Sequence, residues 1–79
     1  MKFDFSSDAM KSISKMDANT AGRIIKGIFG LPNKGDVKKL KAYDSTFRLR
    51  IGDYRVLFDL EIDVIRIKDV LPRGEAYEK

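Results

Sequence analysis

The stretch FRLRIGDYRVLF, residues 47–58, constrains this chain more than any other. Apolar and charged residues alternate on both sides of Gly52-Asp53, the pattern of two half-buried strands. Glycine at the first central position of a two-residue loop supplies the positive φ that a tight hairpin turn requires. Such a loop fixes the register. Ile51 faces Tyr54, Leu49 faces Val56 and Phe47 faces Phe58, so apolar pairs line one side of the hairpin. On the other side Arg50 lies opposite Arg55, and Arg48 lies opposite Leu57. Two full charges about 5 Å apart repel by roughly 3 kcal/mol at an effective dielectric of 20. Selection for stability alone would not place them there, and the arrangement points to an anion that comes to lie over it.

The 79 residues suffice for one domain, residues 1–79. A chain this short buries only about 60–65% of the surface its unfolded form exposes, so its core is thin. Lys2 to Phe5 alternates charge and phenylalanine, which suits a short strand with Phe3 and Phe5 inward. Ser6 or Ser7 caps a following helix, with Asp8 in its first turn and a sparse stripe of Met10, Ile13 and Met16. Asn19 or Thr20 caps a second helix, in which Ala21, Ile24, Ile25 and Ile28 fall at i, i+3, i+4 and i+7 and Phe29 extends the stripe. Gly30 and Pro32 end it. The short connection around Asp17 makes the two an antiparallel hairpin, and Met10, Ile13, Ile24, Ile25 and Ile28 are assigned to the core. Residues 33–45 are lysine-rich and accommodate a turn of helix. Strands follow at about 46–51, 54–60 and 63–71, with Pro72 stopping the last. The expected fold is α+β, of order βααβββ: an N-terminal strand and a helical hairpin packed on an antiparallel four-stranded sheet.

With Glu61-Ile62 as the second hairpin loop, Leu60 pairs with Asp63, Phe58 with Ile65 and Val56 with Ile67. Leu57 then lies beside Arg66, and Arg55 beside Lys68. Two rows cross the outer face, Arg50-Arg55-Lys68 and Arg48-Leu57-Arg66, and Asp59 is the one acid expected to share it. Net charge alone would not reveal this surface. The total is +4, but residues 47–79 carry seven basic and seven acidic side chains, so any basic face there comes from sorting the signs. The absence of cysteine excludes disulfides and thiolate metal sites, and the absence of histidine removes the usual neutral-pH base and zinc ligand. Glu61, Asp63, Glu75 and Glu78 are dispersed, so neither metal nor cofactor is expected. No apolar run approaches the roughly 20 residues that span a bilayer, and Met1-Lys2-Phe3-Asp4 lacks a signal-peptide core, so a cytoplasmic location without membrane association is expected.

Arginine presents a planar fork that matches phosphate oxygens, and a sheet face carrying several such forks fits a nucleic-acid backbone. Stacking partners on that face are scarce, because Phe47, Tyr54 and Phe58 point inward. Tyr77 lies four residues beyond Arg73 in LPRGEAY, and a short return of the chain would bring both over the basic rows. Taken together, the helical hairpin, GDVKKLK (residues 35–41), FRLRIGDYRVLF and LPRGEAY resemble the RelE/ParE superfamily of small bacterial type II toxins, closest to its RelE-like branch. The central element reads R-x-R-x-G-x-Y-R-V-x-F, followed after a strand by P-R-x-x-x-Y.

The resemblance implies a microbial-RNase-like fold and an endonuclease that cuts mRNA in the ribosomal A site by metal-independent attack of the ribose 2′-OH on the neighbouring phosphate. By the same resemblance Arg55 contacts the scissile phosphate, Tyr77 orients the 2′-OH or moves a proton, and Arg73 completes the catalytic group. Arg48, Arg50, Arg66 and Lys68 bind RNA phosphates. Arg48 and Arg50 stand where some relatives have lysines, and arginine is a poor general base, which leaves proton transfer to Tyr77, Lys68 or groups of the ribosome. Lys34, Lys38, Lys39 and Lys41 form a solvated loop face that would contact ribosomal RNA. The implied partners are a cognate RelB-like or other type II antitoxin, in a toxin–antitoxin heterotetramer, and the ribosome with its mRNA. Two other readings stay open on the same fold: a ParE-like inhibitor of DNA gyrase, and a non-catalytic nucleic-acid- or antitoxin-binding relative.

Overall fold

A computed structural model describes residues 2–31, 33–39 and 46–72 of the chain. Strand β1 (Lys2–Phe5) leads into helices α1 (Ser7–Ser14) and α2 (Ala18–Phe29), and four strands follow: β2 (Asp36–Lys39), β3 (Thr46–Ile51), β4 (Tyr54–Leu60) and β5 (Val64–Pro72). The sheet order is β1-β5-β4-β3-β2, with β1 parallel to β5 and the other neighbours antiparallel. The fold is α+β as expected, but the sheet is mixed and has five strands rather than four. The extra strand is Asp36-Val37-Lys38-Lys39, inside the segment read as a loop with a turn of helix. Its one apolar residue and two lysines give no strand signal, and all four residues are exposed, as suits an edge strand that charge protects from further pairing. Among the described residues no helix is long and apolar enough to cross a membrane.

The first hairpin has the register its turn dictates: Ile51 pairs with Tyr54, Leu49 with Val56, Phe47 with Phe58 and Arg50 with Arg55. Gly52 sits at φ 56°, a backbone conformation that calls for glycine. The second hairpin differs. Glu61 N–H donates to the Val64 carbonyl at 2.9 Å, so the loop is Ile62-Asp63 rather than Glu61-Ile62. Leu60 therefore pairs with Ile65, Asp59 with Arg66 and Phe58 with Ile67, two residues away from the expected register. An even shift keeps every side chain on its face. The ladder then slips between Phe58 and Leu57, which faces Asp69, leaving Lys68 as the extra residue of a β-bulge.

The core lies between the helices and the inner face of the sheet. Ile24 and Ile28 of α2 and Ala9 of α1 bury against Leu49, Val56, Phe58, Ile65, Ile67 and Val70. The Phe47 and Phe58 rings stack at 5.6 Å. Ile13 and Met16 pack at the margin, whereas Met10 and Phe29 are 61% and 57% exposed and Ile25 is half-buried, so the core assignment of Met10 and Ile25 fails. The helices touch each other little, and the outer flank of each stripe faces the gap between them.

Ser6 caps α1, accepting from Ala9 N–H at 3.0 Å while its hydroxyl donates to the Lys68 carbonyl. The cap of α2 is Asp17, not Asn19 or Thr20; its carboxylate accepts from Thr20 Oγ1 at 2.7 Å and from Thr20 N–H at 3.2 Å. Thr20 therefore completes the cap from inside the first turn.

Replacing Phe58 by alanine should cost about 3–5 kcal/mol, a large share of the stability of a domain this size, and lower the urea midpoint accordingly. The two Thr20 hydrogen bonds hold the Asp17 carboxyl below its ordinary pKa of 3.8. Its contribution to stability is therefore full above pH 3.8 and is lost as pH falls through the lowered value. In melts followed by circular dichroism, Asp17→Ala should melt below the wild type at neutral pH, with the gap closing in acid; Asp17→Asn, which still caps, should lack that pH dependence.

Candidate nucleic-acid interface

Strands with one face in the core must turn the alternate residues to the other face. Since Leu49, Val56, Phe58 and Ile67 are buried, Arg48, Arg50, Arg55 and Arg66 share the outer surface. Strand β2 adds Lys38 opposite Arg48 and Asp36 opposite Arg50. Lys68, two residues beyond Arg66, lies on the same side, where its ammonium reaches Thr46 Oγ1 at 3.4 Å and lies 4.0 Å from Asp59 Oδ2. The face is thus basic, but the two expected rows do not form. Arg55 faces Leu71 instead of Lys68, and Leu57 faces Asp69 instead of Arg66.

Asp59 is also not the only acid. Arg66 Nη1 donates to Asp4 Oδ2 at 2.7 Å and its Nε to Glu61 Oε2 at 3.2 Å. Arg48 Nη1 lies 3.5 Å from Asp36 Oδ1 and donates to the Asp36 carbonyl at 3.1 Å. The Arg48 side chain is only 11% exposed, which makes it a tie between β2 and β3 more than an open fork. Lys68 and Asp59 share the buried Thr46 hydroxyl, which donates to Asp59 Oδ1 at 2.8 Å and accepts from the ammonium. The pairing of Thr46 with Asp59 follows directly from the Gly52-Asp53 register and was available from the sequence. The Asp36 tie was not, because β2 carries no strand signal.

Positive charge is therefore unevenly compensated. Toward β1 and the Ile62-Asp63 turn, acids stand against Arg66 and Lys68. At the opposite end of the face Arg50 is exposed, lies across from Arg55, and makes no ion pair among the described residues. Strand β5 also runs out there, with Leu71 opposite Arg55 and Pro72 opposite Tyr54. Lys34, Lys38 and Lys39 are exposed around β2. Arg73, Tyr77 and Lys41 lie outside the described residues.

No known protein-family model matches the chain. Over 45 residues it is 38% identical to Toxin RelE3 of Methanocaldococcus jannaschii; the match spans 57% of this chain and 51% of that protein, about half its length. Among solved structures, the fold resembles the RelB-RelE antitoxin–toxin complex from Methanococcus jannaschii, with TM-score 0.79, 27% identity, and coverage of 95% of each chain. It likewise resembles the archaeal RelE-RelB complex from Pyrococcus horikoshii OT3, with TM-score 0.76, 25% identity, and coverage of 95% of this chain and 97% of that one. In fold over nearly its whole length, and in sequence over the stretch that aligns, the chain is RelE-like.

Proposed function

We propose that this chain is the toxin of a type II toxin–antitoxin pair, a ribosome-dependent endoribonuclease that cuts mRNA in the A site. The observation that carries this reading is the Arg50–Arg55 end of the outer face, where opposed guanidinium groups lie beside the exit of β5. An RNA backbone offers phosphate oxygens that match both planar forks, and Arg50 makes no ion pair among the described residues. Arg73 follows Pro72 directly, and Tyr77 is five residues beyond Pro72, within about 17 Å of extended chain. That reach is long enough for both to meet Arg55 in the proposed site.

In the proposed reaction the 2′-oxygen attacks the adjacent phosphorus as its proton leaves, and the bond from phosphorus to the 5′-oxygen breaks as that oxygen gains a proton. The products are a 2′,3′-cyclic phosphate and a 5′-hydroxyl. Arg55 and Arg73 stabilise the dianionic phosphorane, and Tyr77 orients the 2′-OH. Arg48, Arg50, Arg66 and Lys68 hold the flanking phosphates, with Arg50 the most available. Lys34, Lys38, Lys39 and Lys41 meet ribosomal RNA. The solved RelB-RelE complexes support a RelB-like antitoxin as the partner that restrains the toxin.

On programmed ribosomes the protein should cut mRNA with codon-phased 5′-hydroxyl ends, and replacing the 2′-OH at the cut nucleotide by hydrogen should block it. Arg55→Ala should fold yet cut at least about a hundredfold more slowly; a folded mutant of full activity removes Arg55 from the catalytic group, and replication arrest with intact mRNA would select gyrase inhibition instead. Charge compensation yields a separate expectation, read from binding of a single-stranded RNA oligonucleotide across salt concentrations. Arg50→Gln should flatten the slope of log affinity against log salt by about 0.7, whereas Arg66→Gln, already engaged by Asp4 and Glu61, should change it less.

A further inference from the structure

The Gly52-Asp53 turn has a second side that the basic face does not use. On the helical side of the sheet a cleft of about 180 Å³ lies between the start of α2 and this turn, lined by Thr20, Arg23, Ile24, Ile51, Asp53 and Tyr54. Thr20, Arg23 and Ile24 fall at i, i+3 and i+4 and so share one flank of α2, while Ile51 and Tyr54 are the last inward-facing pair of the hairpin. Ile24 is buried and Ile51 and Tyr54 are half-buried, so the floor is largely apolar. Arg23 lies across the bare backbone of Gly52, where a Cβ would meet its Nη2 at 2.9 Å.

Two opposite charges share this cleft without meeting. Among the described residues neither the Arg23 guanidinium nor the Asp53 carboxylate has a hydrogen-bond or ion-pair partner, and both residues are exposed. Arg66, by contrast, is held by Asp4 and Glu61. A guanidinium and a carboxylate set around an apolar floor suit a flat ligand with two acceptors on one edge and two donors on another. Guanine is the RNA base that offers both. Its N1–H and N2 amino group donate side by side to a carboxylate, and its O6 and N7 accept from the fork of an arginine. Adenine and cytosine put a ring-nitrogen acceptor beside their amino group, which sets lone pair against lone pair at a carboxylate, and uracil has a single N–H donor.

Position ties the cleft to the strand that the outer face would hold. Arg50 precedes Ile51 and Arg55 follows Tyr54, so the cleft and the Arg50–Arg55 end flank the same two-residue turn from opposite faces. A single-stranded backbone held on those arginines leaves its bases free to splay outward, and one that turns around Asp53 enters the cleft. Resting on the nuclease reading above, we propose that the cleft between α2 and the Gly52-Asp53 turn takes the guanine base of a nucleotide near the cut, with Asp53 on its Watson–Crick edge and Arg23 on its O6 and N7. The two residues set base preference and take no part in the proton transfers.

The test titrates the full chain with GMP, IMP and AMP and follows its backbone amide resonances. GMP should shift Thr20, Gly52, Asp53 and Tyr54 and bind at least about tenfold more tightly than AMP, and IMP, which lacks the N2 amino group, should bind more weakly than GMP. Asp53→Asn should remove the preference for GMP over AMP, and Arg23→Gln should weaken GMP at least about fivefold; both positions are exposed and both variants should fold. On programmed ribosomes Asp53→Asn should erase the bias toward guanine near the cut. The proposal is overturned if GMP and AMP bind alike, if millimolar GMP shifts nothing or only Arg50, Arg55 and their neighbours on the sheet, or if Asp53→Asn keeps the preference. Nucleotide binding is read without ribosomes or cleavage. A chain that prefers GMP but cuts no mRNA therefore keeps the guanine cleft and loses the nuclease reading, and one that cuts mRNA without preferring GMP does the reverse.

Discussion

The turn at Gly52 sets the position of the first hairpin's arginines. Strand side chains alternate with period two, so the register that buries Leu49, Val56 and Phe58 also turns Arg48, Arg50 and Arg55 outward. A slip of one residue would send guanidinium groups into the core at a cost of several kcal/mol each, because no partner waits there to offset their lost hydration. Core and basic face are therefore one design. The like-charge opposition of Arg50 and Arg55 is locked in by the same pairs that hold the hairpin together.

Within that frame the acids decide where the positive field is felt. Asp4 and Glu61 bracket Arg66, Asp59 and Thr46 gather Lys68, and Asp36 holds Arg48 down against the sheet. Each pair is at least partly solvated and adds little to stability on its own. Their effect is to leave the Gly52 end of the face more positive than the end near β1, so that the field is graded across the sheet.

The parts of this architecture that could be read from the sequence were those with a period and a turn. Strands β1, β3 and β4 lie where alternation places them, and the Gly52-Asp53 loop gave its register without error. The second loop was misplaced because Glu61-Ile62-Asp63 contains no glycine or asparagine to mark its centre, and Ile62 at the tip is 99% exposed against its apolar character. The bulge at Lys68 left no sequence mark. Met10 and Phe29 were assigned to the helical stripes by spacing alone, but spacing reports which side of a helix is apolar and cannot tell whether anything covers it. At the site, the clustering of the arginines on one face followed from register, whereas the partners that tether Arg48 and Arg66 come from β1, β2 and a turn, which are distant in sequence.

The parallel pairing of β1 with β5 has a consequence for how the protein is made. Lys2 to Phe5 lie alongside Val64 to Ile67, and the tie from Arg66 to Asp4 joins residues 62 positions apart. During synthesis the first strand emerges long before its neighbour, so a nascent chain that has reached only Leu60 displays β4 as a raw edge with its hydrogen-bonding groups unmatched. Closure of so distant a contact is intrinsically slow. Arg66 and Lys68 are themselves part of the late strand, so the cationic surface is assembled in the same step that seals the sheet.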